Sequence, residues 1–169
     1  MDENTAVSSA LIKLLKAAQI HVATQSDLDA RVNLARQADE LASQWPQSWV
    51  AKAVVFLARS FFLFDATGAS EVFGGPEKVF EMMQAGGVES LFLRGLGAAF
   101  RGEADAAINA FRAAEAIRPN DPFIQFSHVM ALNRLFGSTD DTLRVLFVFI
   151  QNHRSHSLYK LGQELFAEK

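Results

Sequence analysis

The sequence contains no cysteine, and this absence removes several chemistries at once. A chain without cysteine has no disulfide, no thiolate ligand for a metal and no thiol nucleophile. The absence is compatible with an intracellular location and does not require one. It leaves carboxylates, imidazoles and hydroxyls as the side chains from which a chemical site could be built.

Long runs of one charge and long apolar runs are also missing. The 16 basic and 19 acidic residues give a net charge of −3. Because neither sign forms a block, we expect no nucleic-acid partner. No run of about 18 uninterrupted apolar residues is present, so we expect no membrane span. The chain opens on acids, and Lys13 and Lys16 interrupt the apolar residues that follow, unlike a secretory signal. We therefore predict a cytoplasmic protein.

Apolar residues make up half of the sequence, and 15 of the residues are phenylalanine beside a single tyrosine. Phenylalanine buries a large area without a hydroxyl that needs a partner, which suits packed helix interfaces and could also line an apolar groove. A length of 169 residues is typical of one compact domain. We therefore predict a single domain, residues 1–169, with a sizeable core.

The first third of the chain predicts three helices. Apolar residues recur three and four positions apart from Thr5 to about Ala23, which is typical of a helix with one buried face. Ser26 or Asp27 can cap a second helix, which ends before Pro46. A third helix, residues 49–64, is apolar almost all round, which predicts burial on more than one side.

Residues 65–75 predict a loop, because this stretch contains glycine at several positions and is followed by Pro76, which can begin a short helix. Long loops in compact domains are often functional. A structural insertion held in place by Phe73 explains this loop at least as well.

The clearest pattern lies in residues 88–121. Two amphipathic helical segments are joined at Gly102 and closed by Pro119, which predicts two antiparallel helices. Gly95 and Ala107 would let the paired helices approach closely, and Phe111 would fill the gap beside them.

This spacing of small and aromatic residues resembles the tetratricopeptide repeat family, whose unit has a small residue in its first helix, two small residues and an aromatic in its second, and then a proline. The matching residues are Gly95, Ala107, Phe111, Ala114 and Pro119. The resemblance implies an all-α fold of antiparallel helix pairs, stacked as a short right-handed superhelix, an α-solenoid with a capping C-terminal helix. The implied units are a degenerate first repeat (1–47), an irregular second repeat (48–87), the clear repeat (88–121), a degenerate repeat (122–153) and the capping helix (154–169).

The run Val145–Ile150 could by local propensity be a buried strand, since β-branched and aromatic residues are concentrated in it. Ser138 and the acids Asp140 and Asp141 provide an N-terminal cap signal, which favours a helix. A final helix from His156 to about Ala167 would close the stack and present Leu158, Leu161, Leu165 and Phe166.

No catalytic constellation is evident in the sequence. The glycines of RGLGAAFRG follow no strand and precede no lysine of a phosphate loop. His153 and His156 could share one side of a helix, but two histidines do not make a zinc site. His21 and His128 are interpreted as ordinary helix residues. We therefore expect no enzyme activity, no metal and no cofactor.

The tetratricopeptide resemblance implies that the first helices of the repeats line a concave groove that holds an extended peptide or a helix. The predicted partner-binding residues, mostly apolar, are Phe92, Leu96, Ala99, Phe123, Phe126, Met130, Asn133 and Arg134. The leading hypothesis is a non-catalytic scaffold or adaptor that binds an apolar or amphipathic segment of a partner protein in this groove.

Three alternatives remain open at this stage. The chain resembles the small acidic secretion chaperones built from such repeats, which shield apolar regions of their clients. It could instead assemble with itself into a homo-oligomer. The groove could also be filled by the first or last helix of the same chain.

Overall fold

A computed structural model of the chain describes the backbone of residues 1–167 and the side chains of residues 1–163. Within this part the protein is all-α, as predicted, with ten helices and no strand. The helices are α1 (Glu3–Gln19), α2 (Gln25–Ser43), α3 (Trp49–Leu57), α4 (Ala66–Glu71), α5 (Pro76–Ala85), α6 (Val88–Phe100), α7 (Ala104–Ile117), α8 (Pro122–Phe136), α9 (Asp140–His153) and α10 (Ser157–Ala167). The side chains of Leu165 and Phe166, predicted to pack from the last helix, lie outside the described residues.

The start of α2 differs from the prediction, because Thr24 and not Ser26 or Asp27 is the N-cap. The Thr24 hydroxyl accepts the Asp27 backbone N–H at 3.2 Å, and the Asp27 carboxylate accepts the backbone N–H groups of Ala23 and Thr24 at 3.0 Å. These hydrogen bonds, first that from Ala23, lower the pKa of Asp27. The two residues form a reciprocal capping box, which satisfies more of the free N–H groups than one cap alone.

In the structure, the predicted third helix and the predicted loop after it both differ from the prediction. A π-helical turn, Ala58–Phe62, follows α3, and the predicted loop 65–75 contains the short helix α4. Arg59 joins this region to α2, donating to both carboxylate oxygens of Asp39 at 2.8 and 3.1 Å and to the Gly68 carbonyl at 2.9 Å. A two-pronged charged hydrogen bond of this kind holds the π turn in one orientation.

The first helix is the centre of the packing. Helix α1 is buried on most of its circumference, and it packs against α2, α3, α8 and α10. The helices that neighbour each other in sequence, α6 with α7 and α8 with α9, also pack against each other. The run Val145–Ile150 is helical, within α9.

Small residues let α6 and α7 approach closely. A Cβ atom added to Gly95 would lie 2.8 Å from the Phe111 ring, closer than carbon atoms can pack. Ala107 and Ala114 of α7 are fully buried. Gly95 therefore leaves the space that the Phe111 ring occupies.

None of the helices in the described part of the chain combines the length and apolar character needed to cross a membrane.

Candidate functional site

The residues predicted to line an open concave groove are buried inside the protein. Phe92, Leu96 and Phe126 have no exposed surface, and Ala99 and Met130 are at most 3% exposed. In this structure these five side chains, predicted to face a partner, face the interior of the protein. The physical reason is that apolar side chains of other helices of the same chain cover them.

Helix α1 provides much of that cover. Leu15, Ala18 and Gln19 of α1 lie against Leu96, Ala99 and Met130, and only a gap of about 10 Å³ remains between them. Phe126 is covered from the other end of the chain. A Cβ atom added to Gly162 of α10 would lie 2.6 Å from the Phe126 ring.

Arg134, also predicted to bind a partner, instead ties two helix ends together. Its guanidinium donates to the backbone carbonyls of Ala99 at 3.1 Å, Phe100 at 3.4 Å and Ala18. These carbonyls lie at the ends of α6 and α1, where helices leave their last carbonyls unpaired and favour a positive charge. Burial lowers the pKa of Arg134 from its ordinary value. Its role in the structure is to cap both helices from α8.

The last two predicted partner-binding residues are half-buried. Phe123 makes an edge-to-face contact with the ring of His156, with ring centres 5.3 Å apart. Asn133 lies one turn before the end of α8, where its carbonyl accepts the backbone N–H of Gly137 at 2.9 Å. Phe123 also lines an open pocket of about 320 Å³ at the start of α1, together with Asp2, Glu3, Asn4, Val7 and Ser48.

An open cleft lies elsewhere, on the side of the molecule where α7, α8 and the start of α9 meet. We call it the His128 cleft. It has a volume of about 450 Å³ and is lined by Ile108, Arg112, Glu115, His128, Leu132, Phe136, Thr139, Asp141, Arg144 and Val145. This volume is within the range of pockets that hold small molecules or anchoring side chains of a partner.

An imidazole paired with a carboxylate lies at the wall of this cleft. Nδ1 of His128 lies 2.8 Å from Oε1 of Glu115, and the His128 ring is stacked on Phe111 with ring centres 5.5 Å apart. Since an ionised carboxylate only accepts hydrogen bonds, Nδ1–H is the donor in this pair. The other ring nitrogen, Nε2, has no hydrogen-bond partner among the described residues and remains available to the cleft.

The remaining lining of the cleft is apolar in its floor and charged at its rim. Ile108, Leu132 and Val145 contribute apolar surface, and Phe136 exposes 48% of its surface at the edge. Arg144 pairs with Asp141, one turn earlier on α9, at 3.3 Å. Arg112 of α7 is exposed, and within the described part of the chain it has no ion pair or hydrogen bond. The cleft thus combines apolar surface with two arginines and two carboxylates, and among these charged groups Arg112 alone has no ion pair or hydrogen bond with the described residues.

The polar groups of this cleft are the His128–Glu115 pair, the Thr139 hydroxyl and the charged side chains of the rim. Its lining includes no serine, lysine or tyrosine, and the Thr139 hydroxyl is already used, because it caps α9 by accepting the Thr142 N–H at 3.3 Å. His153 and His156 have ring centres 6.3 Å apart, and no group of three His, Cys, Asp or Glu side chains suited to a metal occurs among the described residues. Acyl-transfer sites usually place a nucleophile beside a histidine–carboxylate pair such as His128–Glu115.

His128 was interpreted from the sequence as an ordinary helix residue, and that interpretation missed its burial and its carboxylate partner. One signal was present. His128 stands inside the apolar run of α8, where a polar side chain needs a partner if it is buried. The partner Glu115 lies 13 residues earlier on another helix, so only the packing of α7 against α8 identifies it.

No protein-family model matches this chain, and no significant similarity to a curated protein or to a solved structure was found.

Proposed function

We propose that this chain is a non-catalytic protein-interaction domain of the tetratricopeptide-like kind, which binds an amphipathic segment of a partner protein in the His128 cleft. The observation that supports this proposal is the cleft itself, which combines an apolar floor with a charged rim. The repeat-like spacing around Gly95 and Phe111 supports the same kind of domain.

The charges at the rim specify the partner segment more closely. Arg144 already has an acidic neighbour in Asp141, whereas Arg112 has no partner among the residues described. A segment that places apolar side chains on the floor and a carboxylate beside Arg112 satisfies both features of the cleft. The proposed ligand is thus an amphipathic helix or extended segment with an acidic residue next to its apolar face.

The cleft is tested by changing two exposed residues at its rim, with Arg112→Glu and Phe136→Ser combined in the full chain. We expect this variant to bind a cleft partner at least about tenfold more weakly, because charge repulsion replaces attraction and an apolar anchor is lost. The measurement is quantitative affinity capture from cell extract, followed by titration of each purified candidate partner.

A matched control makes the same chemical changes elsewhere, Arg36→Glu with Phe80→Ser, at exposed positions of α2 and α5. Partners of the cleft are the proteins retained by the wild type and by this control but lost from the rim variant. If the rim variant captures the same proteins with the same affinities as the wild type, the cleft is not the binding site.

Self-assembly is a second candidate function, and exposed apolar side chains of α9 favour it. Phe147 exposes 65% of its surface and Leu143, one turn earlier, exposes 43%. A second copy of the chain packed on this pair would remove apolar surface from water.

Sedimentation of the wild type over a wide concentration range tests self-assembly. This candidate predicts a dimer that a Phe147→Asp substitution shifts to monomer, because a charge would then be buried at the contact. A wild-type monomer at the highest concentration would rule it out.

A further inference from the structure

The last helix starts directly after a histidine. His156 is the residue before α10, and its backbone carbonyl accepts the backbone N–H groups of Tyr159 at 3.1 Å and of Lys160 at 3.4 Å. Its side chain also caps the helix, because Nδ1 accepts the backbone N–H of Leu158 at 3.0 Å. Side chains that cap helices are usually hydroxyls, carboxylates or amides, which keep their acceptor at neutral and mildly acidic pH. An imidazole loses its acceptor when it is protonated.

The groups around His156 work against its protonation. Burial lowers the pKa of His156 most, and the nearby His153 lowers it further, while Asp121 at the start of α8 acts in the opposite direction. Burial also lowers the pKa of His153, with Asp121 and the Asn120 backbone again opposing. At the start of α1, the N-cap Asp2 and Glu3 line a pocket together with Phe123, whose ring packs on His156.

Protonation would have different effects on the hydrogen bonds of His153 and His156. Nε2 of His153 lies 2.9 Å from the carbonyl oxygen of the buried Gln125, where a ring N–H is the donor. A protonated His153 keeps this donor, so its hydrogen bond survives. A protonated His156 gives up the acceptor that caps α10.

Besides this cap, helix α10 packs against α1 and α8. The Ser157 hydroxyl lies 3.2 Å from the Thr5 hydroxyl and 3.5 Å from the Asn4 side-chain nitrogen of α1. Leu158 is fully buried, and Gly162 lies against the Phe126 ring, whereas Leu161 is 37% exposed. The Ser157 hydrogen bonds and the buried Leu158 hold the start of α10, next to the cap, against the rest of the protein.

We propose that α10 is a releasable cover over the Phe126 side of α8, held closed by the neutral His156 cap and opened when His156 is protonated. Protonation removes the Nδ1 acceptor and leaves a positive charge at the helix N-terminus, where the helix dipole disfavours it. Release of α10 uncovers Phe126 and the flank of α1, which form an apolar surface suited to an amphipathic helix with a small residue in the place of Gly162. This surface is distinct from the His128 cleft and does not depend on it.

The direction of the pH dependence follows from the lowered pKa. Above about pH 6.5, the ordinary value for histidine, His156 is neutral whether α10 is docked or released, and the cap is fully effective. As the pH falls below that value, the released state takes up a proton more readily than the docked state. The docked state therefore loses stability on acidification through the range between the ordinary pKa and the lowered one.

Hydrogen–deuterium exchange of the full chain, read from peptides that cover residues 157–167, tests this cover. Between about pH 7.5 and pH 5.5 we expect the protection factor of α10 to fall roughly fivefold, the size of effect that loss of a helix cap produces. Protection factors, which are corrected for the intrinsic pH dependence of exchange, are compared for the wild type and for His156→Asn. Asparagine is a good N-cap that does not titrate in this range, so this variant should keep its α10 protection at the lower pH.

Two further variants make the test decisive. His21→Asn changes an exposed histidine between α1 and α2 and should retain the fivefold loss seen in the wild type. His156→Ser supplies a second cap that does not titrate, in case the asparagine variant folds poorly. The proposal is overturned if wild-type α10 keeps its protection at the lower pH, or if both His156 variants lose it to the same extent as the wild type.

Discussion

Replacing Gly95 by leucine is expected to destabilise the protein by about 3 kcal/mol, the upper part of the range for overpacked cores. The first atom of any side chain at this position would already lie 2.8 Å from the Phe111 ring. That ring cannot move away freely, because it is fully buried and stacked on His128. The strain would therefore pass to the contact between α6 and α7 and to the wall of the His128 cleft. Urea unfolding monitored by circular dichroism measures the loss.

Gly97, two residues further along the same helix, provides the matched control. A Cβ atom at Gly97 would make only ordinary contacts, 3.4 Å from the mobile end of Arg101 and 3.6 Å from Phe61. Gly97→Ala is expected to stabilise the protein by about 0.5–1 kcal/mol, because alanine has the higher helix propensity. If Gly95→Leu and Gly97→Ala changed the free energy of unfolding equally, the close contact between α6 and α7 would not constrain Gly95.

Phe126→Ala is expected to cost about 3–5 kcal/mol of stability, because it removes a fully buried ring and leaves a cavity. The lost ring packs on two other helices, on Phe149 of α9 at 5.5 Å between ring centres and on Gly162 of α10. A protein of this size is stabilised by roughly 5–15 kcal/mol, so the variant should unfold at a much lower temperature or denaturant concentration. Thermal and urea unfolding both report the change.

Phe147→Ala is the control for Phe126→Ala, since it deletes the same atoms from a side chain that is 65% exposed. We expect a change within about 0.5 kcal/mol, as for most surface substitutions. A small effect of Phe126→Ala, equal to that of Phe147→Ala, would mean that α10 and α9 do not pack on this ring in solution. The comparison also shows why Phe126 is unsuitable for mapping a binding surface: its loss would weaken every property that needs a folded protein.

The burial of the predicted groove shows a limit of prediction from the sequence. The spacing of Leu96 and Met130 correctly indicated an apolar face on α6 and on α8. An apolar face specifies that something covers it but not what covers it, because a partner, a second copy and a distant helix of the same chain all supply the same apolar surface. Helix α1 covers this face because α1 is apolar on most of its circumference and has to be buried itself.

Arg134 shows the same limit for a charged residue. In the sequence it stands near the end of a helix, and a positive charge there is consistent with a clamp for an acidic partner. In the structure its guanidinium reaches the carbonyls at the ends of α1 and α6, 116 and 35 residues away from it in the chain. Arg134 can cap both helices only because the tertiary structure brings those two helix ends together.

The sequence by itself determined the local features of this protein: the all-α character, the close-packing residue Gly95 and the helical state of residues 145–150. These depend on periodicity, capping and side-chain size over a few neighbouring residues. The tertiary structure alone decided that α1 and α10 cover the Phe126 side, that His128 meets Glu115, and that an open cleft lies beside that pair. Those outcomes depend on contacts between residues far apart in the chain, where many helix arrangements satisfy the same pattern and only close packing selects one of them.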